Sequence, residues 1–248
     1  LYLFASGRMR LPGVEDGFLL WSVLGGLAQL LATNLLLMAF GYRNYVVGTA
    51  YAKTEAVQGA ILALLLLGEV LTPLSWLGIA VGVAGVILLS TGGRRLRLSD
   101  LAQPAALCGL GAGFLFALTA IFVKAATLDI ATPDSVLRAL MALVAVQASQ
   151  VVMQGSYVWV REPEQIPAVM RTWRVSGQVG LLASLGSACW FTGFATAPVA
   201  LVRAVGQVEV LFTLMFGRFY LKEPLKRAES LGLLVVATGV VLALIGGL

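Results

Sequence analysis

Of 248 residues, 59% are hydrophobic and only 12% charged, roughly half the charged share of a soluble domain, so most of the exterior cannot face water. The net charge of +5 comes without a basic cluster interleaved with aromatics, which argues against a nucleic-acid footprint. Histidine is absent from the sequence, which excludes a Ser-His-Asp site, a histidine proton relay and most zinc sites.

In chain order, the opening Leu1–Arg10 ends in "GRMR" and reads as the tail of a span, with no cleavable signal-peptide pattern. Eight apolar runs follow: Phe18–Phe40, Tyr45–Leu67, Leu74–Thr91, Ala105–Lys124, Ser135–Trp159, Val175–Ala197, Ala200–Tyr220 and Ser230–Leu248. Each is about the 17–25 residues a helix needs to cross a bilayer, and none alternates with the two-residue period of a membrane barrel. The expected fold class is all-α, a polytopic membrane helix bundle with eight spans present. Trp21, Tyr42, Tyr45, Trp76, Tyr157, Trp159, Trp173 and Tyr220 stand near span ends and read as interfacial anchors. Cys108 and Cys189 fall inside spans and read as small apolar filler rather than a disulfide. "GLGAGF" at Gly109–Phe114 misses the dinucleotide fingerprint and lies within a span. With no P-loop, the expectation is no nucleotide drive, no cofactor and no metal.

The sequence repeats itself. Displaced by 154 positions, 18 of 77 pairs between Phe18/Thr172 and Arg94/Leu248 are identical without a gap. They include Ser22/Ser176, Gly26/Gly180, Glu55/Glu209, Glu69/Glu223, Gly78/Gly232 and Gly85/Gly239, and two glutamates in register mean more than leucine matches. The expected division is 1–97 for the first repeat and 98–248 for the second. The second carries two spans, Ala105–Lys124 and Ser135–Trp159, without counterparts in the first. About fifty residues are therefore expected to precede Leu1, giving ten spans as two five-helix units. Five is odd, so the second unit runs through the membrane inverted, a recurring transporter design. Loop charge agrees: "GEVLTP" carries no cation, while its counterpart "KEPLKR" carries Lys222, Lys226 and Arg227, as expected of loops on opposite faces.

The charges within spans are the candidate site. In "YAKTEA", Lys53 and Glu55 lie eight and ten residues into an apolar run, about 12–15 Å deep at about 1.5 Å per residue. A charge at mid-membrane costs about 2.5–3.5 kcal/mol on insertion scales, and residues two apart cannot meet on one helix. Each needs a partner elsewhere or a wet cavity. Glu55 shares a face with Gln58; in "VGQVEV" Glu209 repeats Glu55, and Arg203 and Gln207 stand where the first half has Thr49 and Lys53. One reading is structural: Lys53 paired with Glu209, or Arg203 with Glu55, pins the two repeats together. The other is that Lys53, Glu55, Gln58, Arg203, Gln207 and Glu209 line a cargo path and bind a polar or zwitterionic head group. Asn34, Gln147, Gln150 and Trp190 are further path candidates, although uncharged polar residues also hydrogen-bond between helices and Trp190 can simply fill space. Glu69 and Glu223 stand at span ends beside prolines and read as hinge or cap residues acting at the first turn of the following helix.

"GEVLTPLSWLGIAVGVAGVILL", "KEPLKRAESLGLLVVATGVVLAL" and "FATAPVALVRAVGQVEVLF" resemble the EamA repeats of the drug/metabolite transporter superfamily over nearly the whole chain. The resemblance implies a ten-helix carrier for small organic metabolites, amino-acid-like, amphipathic or drug-like, with a cavity between its repeats. It also implies cytoplasmic termini, whereas the distribution of loop cations places the C-terminus outside. The expected activity is secondary transport by alternating access, as exchange or coupled to protons through Glu55 or Glu209, and not enzymatic. The alternative is a non-transporting scaffold or assembly subunit, marked by a filled interface with Lys53 and Glu209 locked together. Expected partners are the lipid bilayer and a small-molecule substrate, with no nucleic acid. The chain is expected as a monomer or homodimer of the cell membrane, a bacterial inner membrane being the expected case.

Overall fold

A computed structural model of the chain describes residues 12–42, 50–91, 103–209, 212, 215 and 227–247. Among them the helices are α1 Gly17–Gly41, α2 Glu55–Leu67, α3 Pro73–Thr91, α4 Pro104–Leu128, α5 Ser135–Arg161, α6 Gln165–Arg171, α7 Trp173–Thr196, α8 Val199–Gly206 and α9 Arg227–Gly247. An isolated antiparallel bridge joins Val14 to Ile130.

Local chemistry sets the ends. Asp134 accepts the Leu137 amide at 3.0 Å and starts α5, as a short acceptor at an N-cap should. Thr72 does the same for Ser75 at 3.2 Å, with Pro73 at the first position of α3, where its missing N–H costs nothing. The left-handed Gly68, at φ 67°, closes α2, a conformation glycine adopts without Cβ strain.

Among the described residues, five helical stretches are long and apolar enough to cross a membrane: Gly17–Gly41, Ala50–Leu67, Pro104–Leu128, Ser135–Arg161 and Trp173–Thr196. Pro73–Leu89 and Leu231–Gly247 are shorter apolar helices. Along α2 the small residues are the buried ones. In α2 the inward positions are Ala56, Gly59, Ala60 and Ala63, while Leu65 and Leu66 face out. Small residues inside and large aliphatic ones outside suit helices that associate in lipid, where backbones gain by close approach and leucine gains nothing by hiding. Tyr157, Trp159 and Trp173, at or near helix ends, are exposed, as interfacial anchors are.

Two of the expected spans are not continuous helices. Residues 50–52 are helical, Lys53 and Thr54 form a turn, and α2 begins at Glu55. In the second half α8 stops at Gly206, Gln207 and Val208 form a turn, and Glu209 is helical again. The interruptions fall at the same register of the repeat, 154 positions apart. The short α6 is a further addition to the expected order.

The chain gathers into two compact units, Leu1–Leu30 with Phe122–Ala197, and Leu31–Ile121 with Pro198–Leu248. Each draws on both halves of the sequence repeat. In the first, α5 is tied to α7 by Gln147 and to α1 by Gln150. In the second, Ala56, Ala60, Ile79, Val83, Ala200, Ala204 and Ala243 form one core cluster, and Val86, Val236 and Val240 a smaller one.

The closest helix pairing in this second unit is α3 with α9, and glycine makes it possible. A Cβ on Gly85 would stand 2.7 Å from the Val236 amide nitrogen, and one on Gly78 would stand 2.7 Å from the Gly239 carbonyl. The partners run in opposite order: Gly78 faces Ala243, Gly82 faces Gly239, Gly85 faces Val236 and Leu89 faces Gly232. The two helices are therefore antiparallel. Displacement by 154 converts Gly78–Ala243 into Leu89–Gly232, and Gly82–Gly239 into Gly85–Val236, so the contact set maps onto itself.

Candidate functional site

The two interrupted helices bring their charges together inside the second unit. Lys53, in the first turn, forms an ion pair with Glu209, just past the second. Glu55, at the start of α2, lies 3.3 Å from Nη1 of Arg203, near the end of α8. Both pairs join one half of the sequence to the other, and both pairings weighed from the sequence are formed. Four charges thus sum to zero, which is how charges persist among apolar helices. Glu55 gains further from the positive end of its own helix.

The pairs differ in access. Arg203 and Glu55 are 10% and 21% exposed, whereas Lys53 and Glu209 are 28% and 53% exposed. Arg203 also donates through Nη2 to the Phe116 carbonyl of α4 at 2.6 Å, and its stem lies along Gly59. The first interruption is backed by α4 as well: a Cβ on Gly113 would stand 2.8 Å from the Ala52 carbonyl oxygen. The small residues of "GLGAGF" thus serve close approach to a broken helix.

Gln58 does not join Glu55; its Nε2 donates to Thr54 Oγ1 at 2.8 Å, within the turn. Gln207 is 8% exposed and packs against Gly82. Asn34 is exposed on α1. Gln147 and Gln150 belong to the other unit, where Gln147 donates to Ser184 at 2.9 Å and Gln150 to Gln29 Oε1 at 2.9 Å. They serve there as interhelical links. Trp190 packs on Phe194, one turn along its own helix, at 5.8 Å between ring centres. Glu223 lies outside the described residues, as do Lys222, Lys226 and Thr49.

Glu69 reaches a helix start far along the chain. Its carboxylate accepts the amide of Val199, the first residue of α8, at 2.7 Å. Acidity at a span end announces an N-terminus nearby; it does not say whose. Two residues escaped the sequence reading. Lys124 donates to the Ala197 carbonyl at 2.7 Å, and Arg138 to the Ala195 carbonyl at 3.1 Å. Both cations sit at the C-terminal end of α7, where the dipole is negative. That two cations from separate helices converge on one end of α7 is a tertiary fact, which no stretch of sequence displays. Among the described residues no group of three or more His, Cys, Asp or Glu could hold a metal ion.

A family model described as the EamA-like transporter family matches residues 103–245. No curated protein matches the sequence. Among solved structures, a crystal structure of a protein aligns with a TM-score of 0.69 at 16% identity, covering 98% of this chain and 82% of the other. At that identity the likeness speaks to the fold alone.

Proposed function

The chain belongs to the EamA-like transporter family, and from that premise we propose that it is a secondary carrier of small polar or amphipathic organic solutes, working by alternating access. The observation that carries this reading is the paired interruption. Two helices break at equivalent positions of an internal repeat, and each break delivers a cation or amide and a carboxylate to one locus. Discontinuous helices are how membrane carriers expose polar groups and helix ends to cargo at depth. Lys53 and Glu209 are the groups a zwitterionic or hydrogen-bonding head group would meet first, because they are the accessible pair. Arg203 and Glu55 hold the site's shape from behind.

The inverted arrangement of two repeats, 1–97 holding the later helices of the first and 98–248 all five of the second, is supported by the antiparallel α3–α9 contact set that maps onto itself under the 154-residue displacement. Rocking of one repeat on the other about that glycine crossing would change access to the site without breaking it. The scaffold alternative gains from the Lys53–Glu209 pair being closed. Its other requirement, a filled surrounding, is opposed by Glu209 standing more than half exposed.

The test uses protein in liposomes loaded with a mixed metabolite extract, with efflux followed by mass spectrometry. Wild type is compared with Glu55→Gln and with Glu209→Gln, the second chosen because its exposure makes a folding defect a minor effect. Selective efflux of one compound class, reduced in both variants, is the expected result. Folded wild-type protein that releases nothing would hand the case to the scaffold. Flux indifferent to an imposed pH gradient would leave exchange, not proton coupling, as the energy source.

A further inference from the structure

The two ends of the first unit differ in how their charges are engaged. Where α1 begins, α4 stops and α5 starts, Glu15, Asp16, Asp129 and Asp134 outnumber Lys124 and Arg138. Both of those cations are turned onto the last carbonyls of α7. Where α5 stops and α7 begins, the balance is reversed. Arg161, Arg171 and Arg174 outnumber Glu162 and Glu164, and all five are exposed. Among the described residues none of the three arginines joins an ion pair or a side-chain hydrogen bond.

Helix chemistry does not account for them. Arg171 suits the C-terminal end of the short α6, but Arg174 stands in the first turn of α7, where the helix dipole disfavours a cation. What Arg174 does touch is aromatic. Its guanidinium lies over the Trp173 ring, 5.7 Å from the centre. A ring against one face of a guanidinium leaves its in-plane N–H donors free, in the fork that takes two oxygens of a phosphate at once.

The apolar side of the patch says which kind of phosphate. Between its charged flanks α6 carries Ile166, Pro167, Ala168, Val169 and Met170 in succession. Val169, Met170 and Trp173 are each more than half exposed, and Trp159 near the end of α5 is exposed as well. A free anion would use the arginines and leave this apolar surface bare. A lipid uses both. Apolar segments flanked by arginine and tryptophan settle where acyl chains meet head groups, and each basic residue there adds attraction to an anionic membrane surface. The flanking α5 and α7 are long and apolar enough to cross a membrane, which sets their shared end at head-group depth.

We propose that this end of the first unit binds an anionic phospholipid, its phosphate held by Arg171 and Arg174 and its acyl chains covering Val169 and Met170. Arg161 adds charge from the end of α5. The contact holds the α5–α7 end in an anionic leaflet and requires nothing of the transport reading.

The test places photoreactive p-benzoylphenylalanine at Met170 of the full chain, in vesicles of one part phosphatidylglycerol to three parts phosphatidylcholine. After illumination, the cross-linked lipids are identified by mass spectrometry. Phosphatidylglycerol should be enriched severalfold over its share of the vesicle. The same probe at Leu128, exposed at the acidic end, should capture the two lipids in bulk proportion. Arg171→Gln with Arg174→Gln should return Met170 to bulk proportion too. Because these arginines are exposed, salt offers a check that needs no further variant. Raising it from about 0.1 M to about 1 M shortens the Debye length from about 10 Å to about 3 Å, and the enrichment should collapse. Bulk proportions at Met170 with both arginines present, equal enrichment at Leu128, or enrichment that survives the double variant or the salt would overturn the site. A double variant that does not reconstitute leaves the decision to the salt and the Leu128 probe.

Discussion

Arg203 and Lys53 each hold a carboxylate from the other half of the sequence, yet burial gives the two pairs different weight. Replacing Glu55 by glutamine leaves a guanidinium that is 10% exposed without its carboxylate, and breaking a buried pair on one side costs about 3–5 kcal/mol. Replacing Lys53 by glutamine opens a pair that is 28% and 53% exposed, where pairs contribute about 0–1 kcal/mol. At roughly 2–4 °C per kcal/mol for a chain of this size, Glu55→Gln should lower the melting temperature severalfold more than Lys53→Gln. Thermal unfolding of the purified protein in one detergent decides it. Equal shifts would mean that the two pairs do not differ in burial as described. The charged residues of this site were legible in the sequence because charge inside an apolar run has no innocent explanation. The turns that deliver them were not. Neither Lys53 nor Thr54 is a helix breaker, and what permits the bend is on another helix, at Gly113, where the Ala52 carbonyl comes close.

At the scale of elements, glycine spacing was readable and its use was not. Gly78, Gly85, Gly232 and Gly239 matched across the repeat as residues; only the structure turns them into one antiparallel crossing of α3 and α9. That crossing has no slack, since a side chain on Gly239 would enter the Gly82 backbone. Gly186 of α7 offers the opposite case, with nothing within 4 Å of an added Cβ. Gly239→Leu should therefore abolish a monodisperse peak in size-exclusion chromatography, while Gly186→Leu should elute as wild type. Similar behaviour of the two would show that the crossing does not hold the second unit together. Helix ends follow the same pattern. The caps that start α3 and α5 and close α2 are local, each contact lying within a few residues. Glu69 and Val199 are 130 residues apart, and so no window along the chain could have joined the carboxylate to α8.

At the scale of the molecule, the choice between carrier and scaffold is a question of access. Among the described residues many large apolar side chains are exposed, and alanine is the commonest buried hydrophobic residue, an arrangement either kind of membrane protein would share. The internal repeat and the family membership favour movement, and the accessible pair says where movement should be seen. In an alternating-access carrier a residue at the site faces each side of the membrane in turn, whereas in a scaffold it faces one side or neither. Glu209 is the residue to watch, because its exposure makes it reachable and its exchange for cysteine removes only an open ion pair. With Cys108 and Cys189 replaced by alanine, Glu209→Cys should react with a membrane-impermeant maleimide in right-side-out vesicles and in inside-out vesicles alike. Labelling confined to one side would mean that the two repeats do not exchange their facing, and the interrupted helices would then be a way of burying charge rather than of moving it.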